Sequence, residues 1–504
     1  MKRILAFIIF LGWGLMAVYA ILHHEIWRDE MRALSIAIQT PSFFQLPNYL
    51  VNEGHPILWY FLLKLGYSIF HTTSILPTLS LLFAVGVASL LLFRSPFPLI
   101  FSGLIIFGNW GLYEYGINCR NYGVAAYFML LFADFYTRKP DKVILHFILL
   151  AIAAQANVYA AMMAMLLASW MVFDTYFKGG NLKKSLLGFA IMIVSFLFVV
   201  YVTLPSSDSL VITNDHQNYG HFLFNLLEVG NGFPELIYGW FPGNYNFISI
   251  ILWLSLLVFI PKPKVLILLI ISLEVMSFFS LYFRMNFLQH QGMWIYTYIT
   301  LLWINYKDIS GFWVSKIWFK YISYSGVLAF SFILYTNFIK GKDSYNYDLN
   351  GLRSDSKDAG KWFASNIKPK DVVISEPDYM MESAVYYHYQ PFYLPREKVF
   401  NTYTHFTNAN AEVMSLKTLN HIADSFSATG KTTYLVLGKN FTRDTIYRYS
   451  YHKQYIVDSA SLAGLKTNYQ LMDSFNNNWF CDEHYFIFKR KPIIATKAPS
   501  HEKQ

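Results

Sequence analysis

The chain has 504 residues, of which 55% are hydrophobic and only 14% are charged. Soluble proteins carry about a quarter charged residues, so a protein that is soluble throughout its length is excluded. The net charge of +9 indicates membrane lipids and not nucleic acid as the partner, because many Lys and Arg residues lie in short loops between apolar runs, where they orient helices. The runs predict a transmembrane domain over residues 1–338, an extracytoplasmic globular domain over 340–491 and a tail over 492–504.

The apolar runs of the first domain are long enough to cross a bilayer, which takes about 20 residues each. They predict about eleven transmembrane helices, at 4–22, 75–93, 97–112, 121–137, 142–157, 158–177, 185–204, 247–261, 265–283, 291–305 and 321–338. No small-residue cleavage site precedes His23, so the first run is predicted to be a retained helix and not a signal peptide. Residues 56–70 are short and interrupted by Lys64, which favours a helix on the membrane surface, with an ordinary span as the alternative.

Cationic residues are distributed unequally between the two sets of loops. If the N-terminus is cytoplasmic, most Lys and Arg residues near helix ends fall inside, and the outer loops hold only Arg28, Arg32, Lys64, Arg120 and Arg284. This bias is typical of the cytoplasmic side and predicts an extracytoplasmic C-terminal domain. We expect a multi-pass protein of the bacterial plasma (inner) membrane.

Ionisable residues collect in the predicted outer loops. The first of these loops, residues 23–74 with its juxtamembrane helices, and two later loops hold Asp29, Glu30, Glu53, His55, Arg120, Tyr122, Arg284 and His290. Charged groups near the ends of membrane helices are expensive to hold and often mark function. Carboxylates, histidines and arginines on one side can supply a base, metal ligands and anion-binding groups. The alternative is that they are ordinary solvated loop residues.

Two stretches of the first outer loop, WRDEMRALSIA and NEGHPILWYFLLK, resemble the same loop in GT-C glycosyltransferases. The resemblance is to the protein O-mannosyltransferases and the aminoarabinose lipid A transferases, where an Asp-Glu pair opens the loop and an acidic-x-Pro-Pro-Leu or His-Pro-Pro-Leu stretch begins a juxtamembrane helix. Asp29 and Glu30 match the pair. Residues 53–58 match the second element, with Ile57 where a second proline is usual. Residues 120–122 resemble the Arg-x-Tyr at the outer end of a later span.

The resemblance implies a GT-C-like membrane glycosyltransferase that takes a sugar from a polyprenyl-phosphate carrier. The sugar would pass to a hydroxyl of a glycan, lipid or protein on the outer side of the membrane, as part of cell-envelope glycosylation. Transfer requires a base, for which Asp29 is the candidate, with Glu30 beside it and inversion at the anomeric carbon. The departing phosphate requires cations, for which Arg120 and Arg284 are the candidates.

Four further residues are assigned to substrate binding: Glu53, His55, Tyr122 and His290. Glu53, His55 and His290 are also candidates to hold a divalent metal ion, since carboxylate and imidazole are metal ligands. Their spacing does not decide between a metal site and direct binding of the phosphate and the acceptor. A divalent metal ion is therefore a candidate cofactor, and no other cofactor is predicted.

The C-terminal domain alternates helical and strand-like patterns. Helices are predicted at 354–367 and 382–389, and strands at 371–375, 433–437 and 485–489. This order predicts an α/β domain, with a small doubly wound sheet as one form. No Gly-rich phosphate loop follows any of these strands, so no nucleotide site is predicted.

Two other classes of membrane protein, and a related class of enzyme, are alternatives to a glycosyltransferase. A transporter or flippase of lipid-linked glycans with an external domain is the main alternative, but such proteins usually have internal repeats and broken helices around charges at the membrane midplane. The sequence has no repeat between its halves. A noncatalytic scaffold is a second alternative. An enzyme that ligates or polymerises lipid-linked glycans is a nearer one, differing only in the donor.

Overall fold

The computed structural model describes residues 1–210, 229–237, 244–283, 287–315, 317–351, 353–411, 413–448, 454–478 and 481–492. Arg284 and the predicted tail from residue 493 onward lie outside these ranges. The chain divides into two compact units. The helical unit contains Met1–His24, Ile36–Ser206 and the described part of Thr213–Asn350. The α/β unit contains Glu25–Ser35 and the described parts of Ser207–Ile212 and Gly351–Gln504.

Fourteen helices precede the α/β unit's main segment in the described part of the chain. They are α1 (Lys2–His23), α2 (Arg28–Gln39), α3 (Leu46–Tyr49), α4 (Leu58–Phe70), α5 (Ile75–Ser89), α6 (Leu99–Ile106), α7 (Tyr122–Arg138), α8 (Val143–Ala154), α9 (Val158–Phe177), α10 (Leu182–Thr203), α11 (Tyr245–Leu256), α12 (Pro263–Tyr282), α13 (Leu288–Ser315) and α14 (Ile317–Leu349). Helix α2 crosses from one unit to the other, because its residues up to Ser35 belong to the α/β unit.

Six helices of the described chain are both long and apolar enough to cross a membrane. They are Lys2–His23, Ile75–Arg94, Val158–Phe177, Leu182–Thr203, Pro263–Tyr282 and Lys320–Leu349. Three shorter apolar helices accompany them, Leu58–Phe70, Val143–Ala154 and Tyr245–Phe259. Apolar segments of this length span bilayers, so the chain is an integral membrane protein. The count of eleven spans stays a prediction.

The run predicted as a span over 97–112 is broken. Helix α6 ends at Ile106, and π-helical turns follow over Asn109–Ile117. The Oδ1 atom of Asn337 on α14 accepts a hydrogen bond from the backbone N–H of Trp110, at 3.3 Å. A Cβ atom at Gly108 would lie 2.4 Å from the same oxygen, so only glycine allows this approach. A side chain from a neighbouring helix thus satisfies backbone that the break exposes, as apolar surroundings require.

The segment predicted to lie on the membrane surface forms helix α4. Its 13 residues extend about 20 Å, less than the hydrocarbon thickness of about 30 Å. Buried Lys64 donates hydrogen bonds to the backbone oxygens of Ala37, at 3.3 Å, and Thr40. A cation at the C-terminal end of a helix pairs with its last carbonyl groups, so Lys64 stabilises the end of α2.

The main segment of the α/β unit contains four helices and nine strands among its described residues. They are α15 (Ser356–Asn366), β1 (Val372–Glu376), α16 (Met381–Val385), β2 (Phe392–Leu394), β3 (Val399–Asn401), β4 (Met414–Ser415), α17 (Leu416–Ala428), β5 (Thr433–Leu437), β6 (Thr445–Arg448), β7 (Gln454–Val457), α18 (Ser459–Asn468), β8 (Tyr469–Phe475) and β9 (Tyr485–Arg490). The second predicted helix, over 382–389, is reduced to the five residues of α16.

Six strands form one sheet in the order β3-β2-β1-β5-β9-β8. Strand β1 is parallel to β2 and β5, whereas β3, β9 and β8 are antiparallel to their neighbours, so the sheet is mixed and not doubly wound throughout. Strands β1 and β5 are buried along their whole length, as central strands covered on both faces are. A smaller sheet has the order β4-β7-β6.

Candidate active site

Asp29 lies in the first turn of helix α2 and is half-buried. The backbone oxygen of Trp27 accepts the first helical hydrogen bonds, from the N–H groups of Glu30 and Met31, which makes Trp27 the N-cap. In return the Trp27 N–H donates to Oε2 of Glu30, at 2.9 Å. This is the glutamate half of a capping box. The partial positive charge of a helix N-terminus favours a carboxylate at the position of Asp29.

Glu30 is completely buried, and its described contact is the helix cap. That contact gives its carboxylate a structural role at the start of α2. Its predicted catalytic role stays a prediction. A glutamate three positions after a helix start is a recognisable capping signal, and this sequence contains it at Trp27-Arg28-Asp29-Glu30.

Carboxylates of the α/β unit surround the residues next to Asp29. Asp482 pairs with the guanidinium of Arg28, and Glu382 pairs with that of Arg32, at 3.0 Å. The Arg28 backbone N–H donates to Oε1 of Glu483, at 3.0 Å. Burial raises the pKa of Glu483 to about 6, although the positive charge of Arg28 and the hydrogen bonds that Glu483 accepts act in the opposite direction.

A second cluster forms in the helical unit, where three helices begin. Tyr122 is the first residue of α7, Tyr159 the second of α9 and His290 the third of α13. The Tyr159 hydroxyl lies 3.0 Å from Nδ1 of His290, and the two rings stack with centroids 4.4 Å apart. The Tyr122 ring lies 5.9 Å from that of His290. All three residues are buried, so the N-terminal ends of three helices meet at this cluster.

Arg120 lies two residues before the first residue of α7 and is half-buried. Its guanidinium carbon lies 5.4 Å from the centroid of the Tyr122 ring. The ring of Tyr115 stacks on that of Tyr122, with centroids 5.5 Å apart and an interplanar angle of 9°. An arginine beside converging helix N-termini concentrates positive charge and N–H donors, which is the arrangement that binds phosphate.

The loop that carries Glu53 and His55 is tied to the same end of the helical unit. It turns at Asn52 and Gly54, where φ is 68° and 66°. At its end, the N–H of Leu58 donates to the backbone oxygen of Gln155, at 2.9 Å.

Gln155 is close in sequence to Asn157, which caps α9 by accepting from the Tyr159 N–H. The Nδ2 group of Asn157 donates to Oδ1 of Asn121, at 3.3 Å. Asn121 lies between Arg120 and Tyr122 in sequence. The loop with Glu53 and His55 is thereby joined to the helix starts of the second cluster. Both loop residues are half-buried.

The predicted metal ligands do not form a metal-binding group in this structure. Across the described residues, no set of three or more His, Cys, Asp or Glu side chains comes together in a way that could hold a metal ion. Nδ1 of His290 is instead directed at the Tyr159 hydroxyl. Metal binding by Glu53, His55 and His290 stays a prediction.

The sequence did not single out Tyr159, Asn157 or Tyr115. Tyr159 and Tyr115 stand among other aromatic residues, which are 19% of the chain, so nothing marked them. Asn157 did carry a signal, because asparagine immediately before an apolar run is a common N-cap. The span predicted over 158–177 has the bounds of α9, but nothing in the sequence assigned a role to Tyr159.

No model of a known protein family matches the chain, and no curated protein sequence matches it. Solved structures similar to the chain include the crystal structure of ArnT from Cupriavidus metallidurans bound to undecaprenyl phosphate. The similarity covers 96% of this chain and 97% of that chain, with 12% sequence identity and a TM-score of 0.49.

Proposed function

We propose that the protein is a membrane glycosyltransferase that moves a sugar from a polyprenyl-phosphate carrier to an acceptor hydroxyl. The observation that carries the proposal is the cluster of Arg120, Tyr122, Tyr159 and His290 at the starts of the three helices α7, α9 and α13. It combines donors suited to phosphate with apolar helices suited to a lipid tail. A phosphate on a long hydrocarbon chain has both properties.

The reaction would be a single displacement. The acceptor oxygen forms a bond to the anomeric carbon while the bond from that carbon to the phosphate oxygen breaks, and the electron pair leaves with the phosphate. The acceptor proton passes to the carboxylate of Asp29, which acts as general base. Displacement from one side inverts the anomeric centre. Arg120 would stabilise the charge on the leaving phosphate, since its planar fork pairs with phosphate oxygens.

The sequence supports the same assignment independently of the cluster. Asp29 and Glu30 after the first apolar helix, followed by residues 53–58, resemble the first outer loop of GT-C enzymes. The charge bias of the loops favours a reaction on the non-cytoplasmic side, with the N-terminus in the cytoplasm. Glu53 and His55 are proposed to bind the donor phosphate or the acceptor at the loop that is joined to α9.

The test is product analysis with the purified full-length protein in nanodiscs. Defined polyprenyl-phosphate sugars are supplied with sugar, lipid and peptide hydroxyl acceptors, and the products are identified by mass spectrometry. The proposal predicts an acceptor heavier by one sugar and an equal amount of free polyprenyl phosphate. The same donors are also supplied to proteoliposomes that contain the protein. A donor that crosses their bilayer chemically unchanged, with no glycosylated product, would instead indicate a flippase.

A further inference from the structure

The segment that carries Asp29 is attached to the α/β unit by its backbone. Glu25–Ser35 clusters with that unit and not with the helices that adjoin it in sequence. The N–H of Ile26 donates to the Tyr387 hydroxyl at 3.0 Å, and its backbone oxygen accepts from the Ser356 hydroxyl at 2.7 Å. The N–H of Arg28 donates to Glu483. Main-chain groups on both sides of Trp27 are therefore fixed immediately before Asp29.

The two arginines that flank Asp29 are also fixed. Arg28 pairs with Asp482 and lies over the ring of Tyr379, with its guanidinium carbon 4.8 Å from the centroid. The Tyr379 hydroxyl donates to the other oxygen of Asp482, at 2.6 Å. Asp482 thus joins Arg28 and Tyr379, and the guanidinium is held on two sides.

Arg32 makes a corresponding contact one turn further along α2. It is buried, its Nη1 donates to Oε1 of Glu382 at 3.0 Å, and its guanidinium carbon lies 3.8 Å from the centroid of the Phe406 ring. The same oxygen of Glu382 accepts from the N–H and the hydroxyl of Thr404, both at 2.8 Å. Glu382 is buried as well, so the pair is shielded from water and its geometry is strongly specified.

We propose that the α/β unit positions the general base: Glu382 acting through Arg32, and Asp482 acting through Arg28, hold the first turn of α2 so that Asp29 meets the acceptor hydroxyl in a reactive geometry. Glu382 and Asp482 are positioning residues, and they do not touch the reacting atoms. The proposal rests on the proposed function, because it presumes that Asp29 is the base. In this proposal the α/β unit contributes to the reaction by positioning Asp29, which requires no nucleotide or metal site in that unit.

The experiment compares full-length wild-type protein with Glu382→Gln and Asp482→Asn in two measurements. The matched control is Glu397→Gln, since Glu397 pairs with His405 in the same unit, at 2.6 Å, and makes no described contact with residues 25–35. Hydrogen exchange of peptides over residues 25–35 reports attachment without any substrate. Steady-state kinetics with a polyprenyl-phosphate sugar report kcat and the KM for the donor.

We expect exchange in residues 26–35 to accelerate by about 10-fold in both variants, because the local opening free energy falls, while strands β1, β5 and β9 exchange as in the wild type. Displacement of a catalytic group by about 1 Å can lower the rate by about 100-fold, so kcat should fall by that order with KM for the donor unchanged. Glu397→Gln should leave both measurements unchanged.

Three results would overturn the proposal. Unchanged exchange in residues 25–35 would mean that these carboxylates do not hold the segment. Faster exchange with kcat retained would mean that holding it does not serve the reaction. A rise in KM with kcat retained would assign the residues to binding. Lack of turnover by the wild-type protein contradicts the proposed function itself, and the exchange measurement then still decides whether the segment is held. If Glu382→Gln fails to fold, Asp482→Asn decides alone, because the Asp482 side chain is 33% exposed and tolerates replacement.

Discussion

The hydroxyl of Tyr159 lies 3.0 Å from Nδ1 of His290, and the two rings stack against each other. The two residues are 131 positions apart in sequence and stand near the starts of α9 and α13. The hydrogen bond fixes the orientation of the imidazole. Tyr159 is therefore the residue through which α9 contributes to the proposed phosphate site.

Tyr159→Phe removes this hydrogen bond and keeps the stacked ring. A buried hydrogen bond contributes about 0.5–1.5 kcal/mol, so we expect kcat/KM for the donor to fall by about 2- to 10-fold as the imidazole loses the group that orients it. The measurement is the initial rate of transfer over a range of donor concentrations. Tyr201→Phe, at an exposed tyrosine of α10, is the control. An unchanged kcat/KM for Tyr159→Phe would contradict a role of the Tyr159–His290 hydrogen bond in the proposed site.

Arg120→Lys keeps the positive charge next to Tyr122 but loses the planar fork. Lysine pairs with phosphate as a point charge, so we expect the KM for the polyprenyl-phosphate sugar to rise by about 10-fold, which corresponds to about 1.4 kcal/mol of binding free energy. The check is the KM for the donor, with Arg94→Lys at an exposed position as the control. A fall in kcat with KM unchanged would confine the action of Arg120 to the charge on the leaving phosphate, and no change in either constant would contradict its assignment to the phosphate site.

Glu30→Gln distinguishes capping from catalysis at the residue next to Asp29. Glutamine also accepts the hydrogen bond from the Trp27 N–H, and capping boxes use either residue. We therefore expect the variant to fold and to retain turnover within about 3-fold, whereas Glu30→Ala should lower the melting temperature, since loss of a cap costs about 1 kcal/mol. A loss of turnover in Glu30→Gln as large as that in Asp29→Asn would make Glu30 a catalytic acid or base.

The raised pKa of Glu483 predicts that the stability of the folded protein depends on pH. Burial raises its pKa from 4.5 in the unfolded chain to about 6, so the folded state favours the protonated acid. Its contribution to stability is fully present below pH 4.5 and is lost as the pH rises through about 6, by about 2 kcal/mol at 1.36 kcal/mol per pKa unit. Glu483→Gln imitates the protonated form and should raise the melting temperature above pH 6, with a difference from wild type that vanishes below pH 4.5.

At Asp355 we expect the change of stability with pH to have the opposite sign. Burial raises the pKa of this carboxyl, but the hydrogen bonds from His484 and Asn478 outweigh burial and hold the pKa below 3.8. Asp355→Asn should therefore lower the melting temperature throughout the range above pH 4, where the wild-type carboxylate is ionised. Melting curves between pH 4 and 8 measure both variants. A difference between Glu483→Gln and wild type that does not vary with pH would contradict the assignment of the shift to Glu483.

The sequence predicts those parts of the fold that depend on local pattern. Long apolar runs identify membrane helices, and the strands at β1, β5 and β9 follow from short apolar runs between turn residues. The break after α6 was not predicted, because it is stabilised by Asn337 on α14, far along the chain. The length of helix α16 was overestimated, because the backbone after Val385 forms tighter turns, in which the N–H groups of Tyr386 and Tyr387 donate to the oxygens of Ser383 and Ala384.

The residues of the candidate site likewise divide into those that belong to local motifs and those that depend on contacts between distant parts of the chain. Asp29, Glu53, His55 and Arg120 belong to local motifs and were identified from sequence. Tyr159 and the contacts of residues 25–35 with Glu382, Asp482 and Glu483 join parts of the chain that are more than 100 residues apart. No local pattern specifies such pairs, since each partner alone is an ordinary tyrosine or carboxylate.

The most direct test of the central claim is the initial rate of sugar transfer by Asp29→Asn compared with wild type. Asparagine keeps the size and polarity of the side chain and removes its ability to take up the proton. Loss of a general base lowers rates by about 10²- to 10⁴-fold, so we expect a decrease of that size at an unchanged melting temperature and unchanged hydrogen exchange. Turnover within about 3-fold of wild type would contradict the assignment of Asp29 as the base.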